Sequence, residues 1–296
     1  VSSNNWNGIW LYKSSRSTIA NNTNEGVELY SNYSSVVNCV LKGNGGWGIY
    51  CFSSLHVTIA NNEFYEDGVF FWGTELGHFL HIVENNSING KPLYYVVNAS
   101  KTKIAGSVGQ IIIVNSKNVV VRGTSIFGTD VAVEVVYSDD VIIKGAILSE
   151  NYEGAYCHHS NVTFLNSTIS SNRQNGIYCF HSSVNVHFCN LFSNGGFGIY
   201  VFCRFLVNAS YCWWGSVEGP IYSYNSDFED PEEVYSSCGS EYIIYEPWLN
   251  EPAEVQISAE RVSASTASTP LLYSLVAIVT VALLSKKRRV KNRWST

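Results

Sequence analysis

The 296-residue chain has no methionine, little charge and no surplus of basic residues. Charged residues make up 14% of it, and 24 acidic residues outnumber 18 basic ones. A basic cluster, Lys286, Lys287, Arg288, Arg289, Lys291 and Arg293, closes the sequence behind an apolar run, and every acidic residue precedes that run. The part before the run is therefore more acidic than the whole. It lacks the cationic footprint that phosphate backbones require, which excludes nucleic acid as a partner. The eight cysteines lack metal-finger spacing. Apolar residues do not recur three and four apart over windows long enough for paired helices, which excludes a helical solenoid. No leader opens the sequence: Asn4-Asn5-Trp6-Asn7-Gly8 already reads as repeat. The expectation is that these residues are the C-terminal part of a longer or processed chain.

What is present is a glycine followed by a short apolar strand, again and again. It occurs at Gly8-Ile9-Trp10-Leu11, Gly26-Val27-Glu28-Leu29, Gly48-Ile49-Tyr50-Cys51 and Gly68-Val69-Phe70-Phe71. It returns at Gly154-Ala155-Tyr156-Cys157, Gly176-Ile177-Tyr178-Cys179 and Gly198-Ile199-Tyr200-Val201. A period in the low twenties with strand-like units marks a solenoid. Residues one and three after each glycine are small or aliphatic, so alternation places them inward. A second strand follows in Val57-Thr58-Ile59, Val162-Thr163-Phe164 and Val184-Asn185-Val186. Asn-rich corners come next, at Asn21-Asn22, Asn61-Asn62, Asn166, Asn190 and Asn194. Asparagine tolerates left-handed backbone and bonds to neighbouring amides. The repeat glycine is expected to hold a backbone shape closed to other residues. The fold class is all-β, a parallel β-helix. At one strand spacing per coil, residues 1–250 predict about eleven coils and a rod about 50 Å long.

The repeats are assigned to residues 1–210, with Gly73–Asp130 read as the same solenoid carrying a short insertion. Residues 211–250, from Tyr211-Cys212-Trp213-Trp214 to Pro247-Trp248-Leu249, read as a closing coil over the open strand edges. Residues 251–269, rich in Ser, Ala and Thr, read as a linker. Residues 270–285 form the apolar run, slightly short for a membrane span but extendable by its flanks. The basic tail 286–296 belongs on the cytoplasmic side, which places the β-helix outside the cell with the membrane held through the C-terminal helix. A buried helix and a sorting tail removed after export are the alternatives.

Cys51, Cys157 and Cys179 stand third after their glycines and so point inward as thiols. Cys212 and Cys238 flank the cap and are the candidate disulfide pair. Seven Asn-x-Ser/Thr sequons, at Asn21, Asn32, Asn85, Asn98, Asn161, Asn166 and Asn208, could carry glycans in an exported protein. Outward beside the core strand stand Trp10, Tyr50, Tyr156, Tyr178 and Tyr200, with Phe70 among them. Stacked coils would align them into a flat aromatic strip suited to sugar rings or to packing against another surface. His159, His181 and Cys203 stand fifth after their glycines on consecutive coils, with His158 beside them. In register they would supply two imidazoles and a thiolate, donors for copper or zinc. Acids come together at Asp139-Asp140 with Lys144, in a turn, and at Asp227, Glu229, Asp230, Glu232 and Glu233 in the cap. A polysaccharide hydrolase or lyase would need such groups in a groove.

The Gly-Ile-Tyr units with Asn-rich corners resemble right-handed parallel β-helix domains grouped as carbohydrate-binding proteins and sugar hydrolases. Asn85-Asn86-Ser87-Ile88-Asn89-Gly90-Lys91-Pro92-Leu93-Tyr94-Tyr95 is similar to a segment of the NosD-like branch. The ending Trp213-Trp214-Gly215, Gly219-Pro220 and Tyr245-Glu246-Pro247-Trp248-Leu249 resembles the closing coil of archaeal surface-anchored members. The resemblance covers roughly residues 1–250. It implies a right-handed coil and partners among surface glycans or envelope proteins. For the NosD branch it implies a copper-handling accessory role. No family catalytic motif maps onto the chain, so it implies no catalytic residues.

Overall fold

A computed structural model describes residues 8–23, 26–44, 47–202, 205–223 and 233–255. The chain winds into an all-β, right-handed β-solenoid of about 9 turns. The stretch after Trp72 builds a junction.

Two stacks of coils meet at that junction. In the first, strands Ile9–Tyr12, Val27–Tyr30, Ile49–Phe52 and Val69–Trp72 pair in parallel on one face. Thr18–Ala20, Ser35–Val37, Thr58–Ala60 and Ile82–Glu84 make the second face. Val40–Lys42, Glu63–Tyr65 and Ser87–Ile88 make the third. There the chain reverses. Ser87–Ile88 pairs antiparallel with Lys91–Val97 through Asn89 (φ 51°) and Gly90 (φ 74°). Two left-handed residues of type Asn-Gly make the hairpin turn whose twist matches its strands. Lys91–Val97 then starts the first face of the second stack, followed in parallel by Gln110–Val114, Val131–Val136, Glu153–His158, Ile177–Phe180 and Ile199–Phe202. So the third face of one stack runs on into the first face of the next, as one 11-stranded sheet. The expectation of one solenoid with a short insertion is corrected accordingly.

The inward assignment holds. Val27, Leu29, Ile49, Cys51, Val69, Phe71, Ala155, Cys157, Ile177, Cys179, Ile199 and Val201 are all buried. Cys157 and Cys179 are register partners and free thiols. Cys212 is buried and free, and Cys238 is free and half-buried, so the disulfide expectation fails. Cys212 instead sits inside the coil beside Cys189.

The corners divide labour between two consecutive residues. One takes the left-handed turn, as at Asn61 (φ 56°), Asn85 (φ 55°), Glu150 (φ 59°) and Ser171 (φ 57°). The next turns inward and bonds up the stack. Asn62 and Asn86 form one such ladder, and Asn151, Asn172 and Asn194 another. A serine ladder, Ser116, Ser138, Ser160 and Ser182, does the same at a different corner. The repeat glycines are not left-handed, contrary to expectation. They are small because the next coil is close: a Cβ on Gly176 would lie 2.6 Å from the Gly198 carbonyl oxygen.

Beyond Leu206 the stack continues. Val207–Asn208 pairs with Ile243–Ile244, Ile199–Phe202 with Glu233–Ser236, and Trp214 is fully buried. Among the described residues no helix is long and apolar enough to cross a membrane. Most of the expected linker, the run 270–285 and the tail 286–296 lie outside the described residues.

Candidate functional site

The outward aromatic positions align in register, Tyr156 with Tyr178 and Tyr178 with Tyr200. They do not present a flat strip. Tyr178 and Tyr200 stack at 4.8 Å and 14°, and Phe180 and Phe202 at 5.1 Å and 3°. Rings stacked coil over coil spend their faces on each other and show solvent their edges, whereas sugar stacking needs a free face. Tyr156 is only 4% exposed. Phe70 of the first stack meets it edge-on at 5.1 Å, so it cannot contact a glycan. Tyr50 is half-buried and stacks on Phe70 at 5.6 Å. Trp10, at 61% exposure, is the open member of the set. The ladder thus serves packing where the two stacks meet and is half-covered elsewhere.

Histidines at the next corner open a different feature. Tyr137 (φ 46°), His159 (φ 50°) and His181 (φ 49°) are the left-handed residues of three successive coils, each just before a serine of the ladder. That backbone shape turns their side chains outward. Tyr137 and His159 stack at 4.8 Å and 17°, and His159 and His181 at 4.8 Å and 19°. With Phe205, Asp139 and Asn161 they line a groove of about 370 Å³. A second cleft of about 260 Å³, lined by Asn118, Asp140, Asn161 and Thr163, shares Asn161 with it. The Asp139 carboxylate accepts from Lys117 at 2.6 Å and from Asn161 Nδ2 at 3.4 Å. Lys117 holds its pKa below the ordinary range, so it is ionised. Burial pushes the His159 pKa down, helped by His181 alongside. Near neutral pH the groove therefore offers a compensated carboxylate, an uncharged His159 imidazole and an amide.

This arrangement does not fit copper or zinc. Metal ligation uses the in-plane lone pair of each imidazole. Rings stacked nearly parallel aim those lone pairs side by side, not at one point. Cys203 lies outside the described residues, and among those described no three His, Cys, Asp or Glu side chains are grouped to hold a metal ion. Of the acids noted in the sequence, Asp139 and Asp140 open the strand Asp139–Lys144 rather than sit in a turn, Asp140 with a left-handed φ of 52°, and Lys117 lies 3.9 Å from Asp140. Asp227, Glu229, Asp230 and Glu232 lie outside the described residues.

Sequence reasoning missed a buried polar set where the stacks meet. Gln110, Asp130, Glu134 and His158 point outward from the second stack, yet all are at most 2% exposed. Burial raises the Asp130 and Glu134 carboxyls well above the usual range and pushes His158 down to about 3. His158 joins this set to the groove, its Nδ1 lying 3.2 Å from that of His159. A signal was present: Glu134 interrupts Val131-Ala132-Val133 and Val135-Val136, and an acid inside an apolar strand asks for a partner.

No curated protein matches the chain. Among solved structures it is similar to the periplasmic alginate epimerase AlgG, at 14% identity and a TM-score of 0.34, over 71% of this chain and 54% of that one. A mutant of the same epimerase gives 12% identity and 0.31, over 78% and 71%. The chain thus spans about half the length of the first of these. Residues 67–209 match the family described as right handed beta helix region, and the chain carries a right-handed β-helix domain.

Proposed function

We propose that this is a non-catalytic glycan-binding β-helix displayed on the outer face of the cell membrane, with the groove beside His159 and His181 as its sugar seat. The observation that carries the reading is the pair of adjoining clefts sharing Asn161. Ligand sites combine a concave apolar lining with a few placed polar groups. Here Phe205, 42% exposed and edge-on to His181, supplies ring surface, Tyr137 and His181 close the two ends of the stacked row, and Asp139, Asn161 and the imidazoles supply acceptors and donors for hydroxyl groups. The clefts span several coils, so they suit a chain of sugars better than a single ring. The apolar run 270–285 with its basic tail supports outward display. Hydrolysis would need two carboxyls facing each other across the scissile bond. Asp139 and Asp140 are instead chain neighbours gathered on one lysine.

Isothermal titration of the chain with a panel of neutral oligosaccharides tests this. We expect binding that weakens about tenfold in Tyr137→Ala and His181→Ala, the loss of about 1.4 kcal/mol for each. Tyr200→Ala, on the edge-on ladder, should bind as wild type. Silence across the panel, or affinity indifferent to both groove changes, would reject the reading.

A further inference from the structure

The first stack ends on an edge that lacks a backbone partner. Val69–Trp72 is the last strand of its four-stranded sheet, and side chains of the second stack take the place of the next strand. Gln110 bonds Val69 twice, its Oε1 accepting from the amide at 3.0 Å and its Nε2 donating to the carbonyl at 2.6 Å. A Glu134 oxygen accepts from the Phe71 amide at 3.4 Å, and Asp130 Oδ2 from the Gly48 amide at 2.8 Å. A strand edge left open would recruit other chains, so this clasp makes the two stacks one body.

Two carboxyls converge at Gly48. Asp130 reaches its amide from the second stack. Asp67 comes from the first, held by the Asn44 amide and Nδ2 at 2.9 and 2.8 Å. A Cβ on Gly48 would lie 2.8 Å from the Asp67 Cβ. The two aspartates are 1% and 2% exposed. The titratable groups around the pair are Glu66 beside Asp67, Tyr152 on the second stack, and the exposed Arg173, whose charge acts on both.

We infer that Asp67 and Asp130 are a pH-operated joint: the seam between the stacks is locked while the pair holds a proton and loosens when both carboxylates are ionised. Two like charges in one buried place cannot both ionise cheaply. Burial lifts Asp67 to about 6, and burial plus the Asp67 charge lifts Asp130 well above the usual carboxyl range. Carboxyls raised in the closed state stabilise it fully below about pH 4, where they are protonated even when exposed. That stabilisation is lost as pH rises through about 6 and beyond. The clasp is therefore tighter in acid, opposite to a salt-bridged carboxylate.

Hydrogen exchange on the whole chain at pH 5 and pH 8, corrected for the intrinsic rate, reads the seam directly. Amides of Gly48 and Val69 should lose about tenfold in protection at pH 8, while Val184 inside the second stack holds steady. The Asp67→Asn/Asp130→Asn variant keeps each acceptor oxygen and should abolish the difference. Equal seam protection at both pH values, or the same loss in the variant, overturns the joint. Should the variant fail to fold, carboxyl carbon NMR of the wild type decides. Both aspartates should titrate above the ordinary range, and midpoints near 4 for both would refute the joint.

Discussion

Replacing Asn172 with alanine should cost about 4 kcal/mol of stability, a large share of the roughly 5–15 kcal/mol that holds a folded domain together. The carboxamide is the middle rung of a buried ladder. Its Oδ1 accepts from the Asn151 amide and Nδ2, each at 3.1 Å. Its Nδ2 donates to the Leu148 carbonyl at 3.2 Å and to Asn194 Oδ1 at 2.9 Å. Alanine leaves the Asn151 amide and the Leu148 carbonyl, both on the preceding coil, without this partner in the buried interior, while Asn194 Oδ1 keeps the Asn172 backbone amide. Each stranded group costs about 1–3 kcal/mol. Asn166→Ala is the control. That asparagine is exposed and serves through its left-handed backbone, φ 46°, so its loss should cost about 1 kcal/mol. Urea unfolding of the two variants separates the roles. Equal costs would show that the corner needs a backbone shape and nothing more.

Gly176→Val should be as damaging, for a steric reason. Its Cβ would lie 2.6 Å from the Gly198 carbonyl oxygen and 2.9 Å from Asn194 Nδ2. Neither can retreat, since the Gly198 carbonyl accepts from the Ile177 amide at 3.0 Å and Asn194 is a fully buried rung. Forcing the coils apart there breaks main-chain bonds on both sides, at about 3 kcal/mol or more. Gly106→Ala supplies the contrast. Gly106 has φ 89° and nothing within 4 Å of a built Cβ. There the cost is that of a left-handed alanine, about 1–2 kcal/mol. A Gly176→Val chain melting with wild type would mean the coils are not packed at this spacing.

The inward face was legible because period-two alternation and burial are the same fact seen twice. Cys157 and Cys179 could be placed inside, one over the other, from their distance to the preceding glycine. The junction was not legible from local pattern. Asn89-Gly90 is a strong hairpin signal, but nothing near it says which sheet the returning strand will join. That choice is made by Gln110, Asp130 and Glu134, up to 44 residues further on, when they close over the edge of Val69–Trp72. The histidines are side by side, as register predicts, but stacked ring on ring. Register gives neighbours, while ring orientation follows from the left-handed φ of His159 and His181. The same gap turned the tyrosines into a strip: spacing reveals that Tyr178 and Tyr200 align, not that they align face to face.

Chemical-shift mapping during titration with an oligosaccharide bound in calorimetry tests the sugar seat most directly. The account predicts shifts gathered at Tyr137, His159, Asn161, His181 and Phe205. Shifts centred on Tyr178 and Tyr200, or on Trp10, with the histidine corner unmoved, would contradict it.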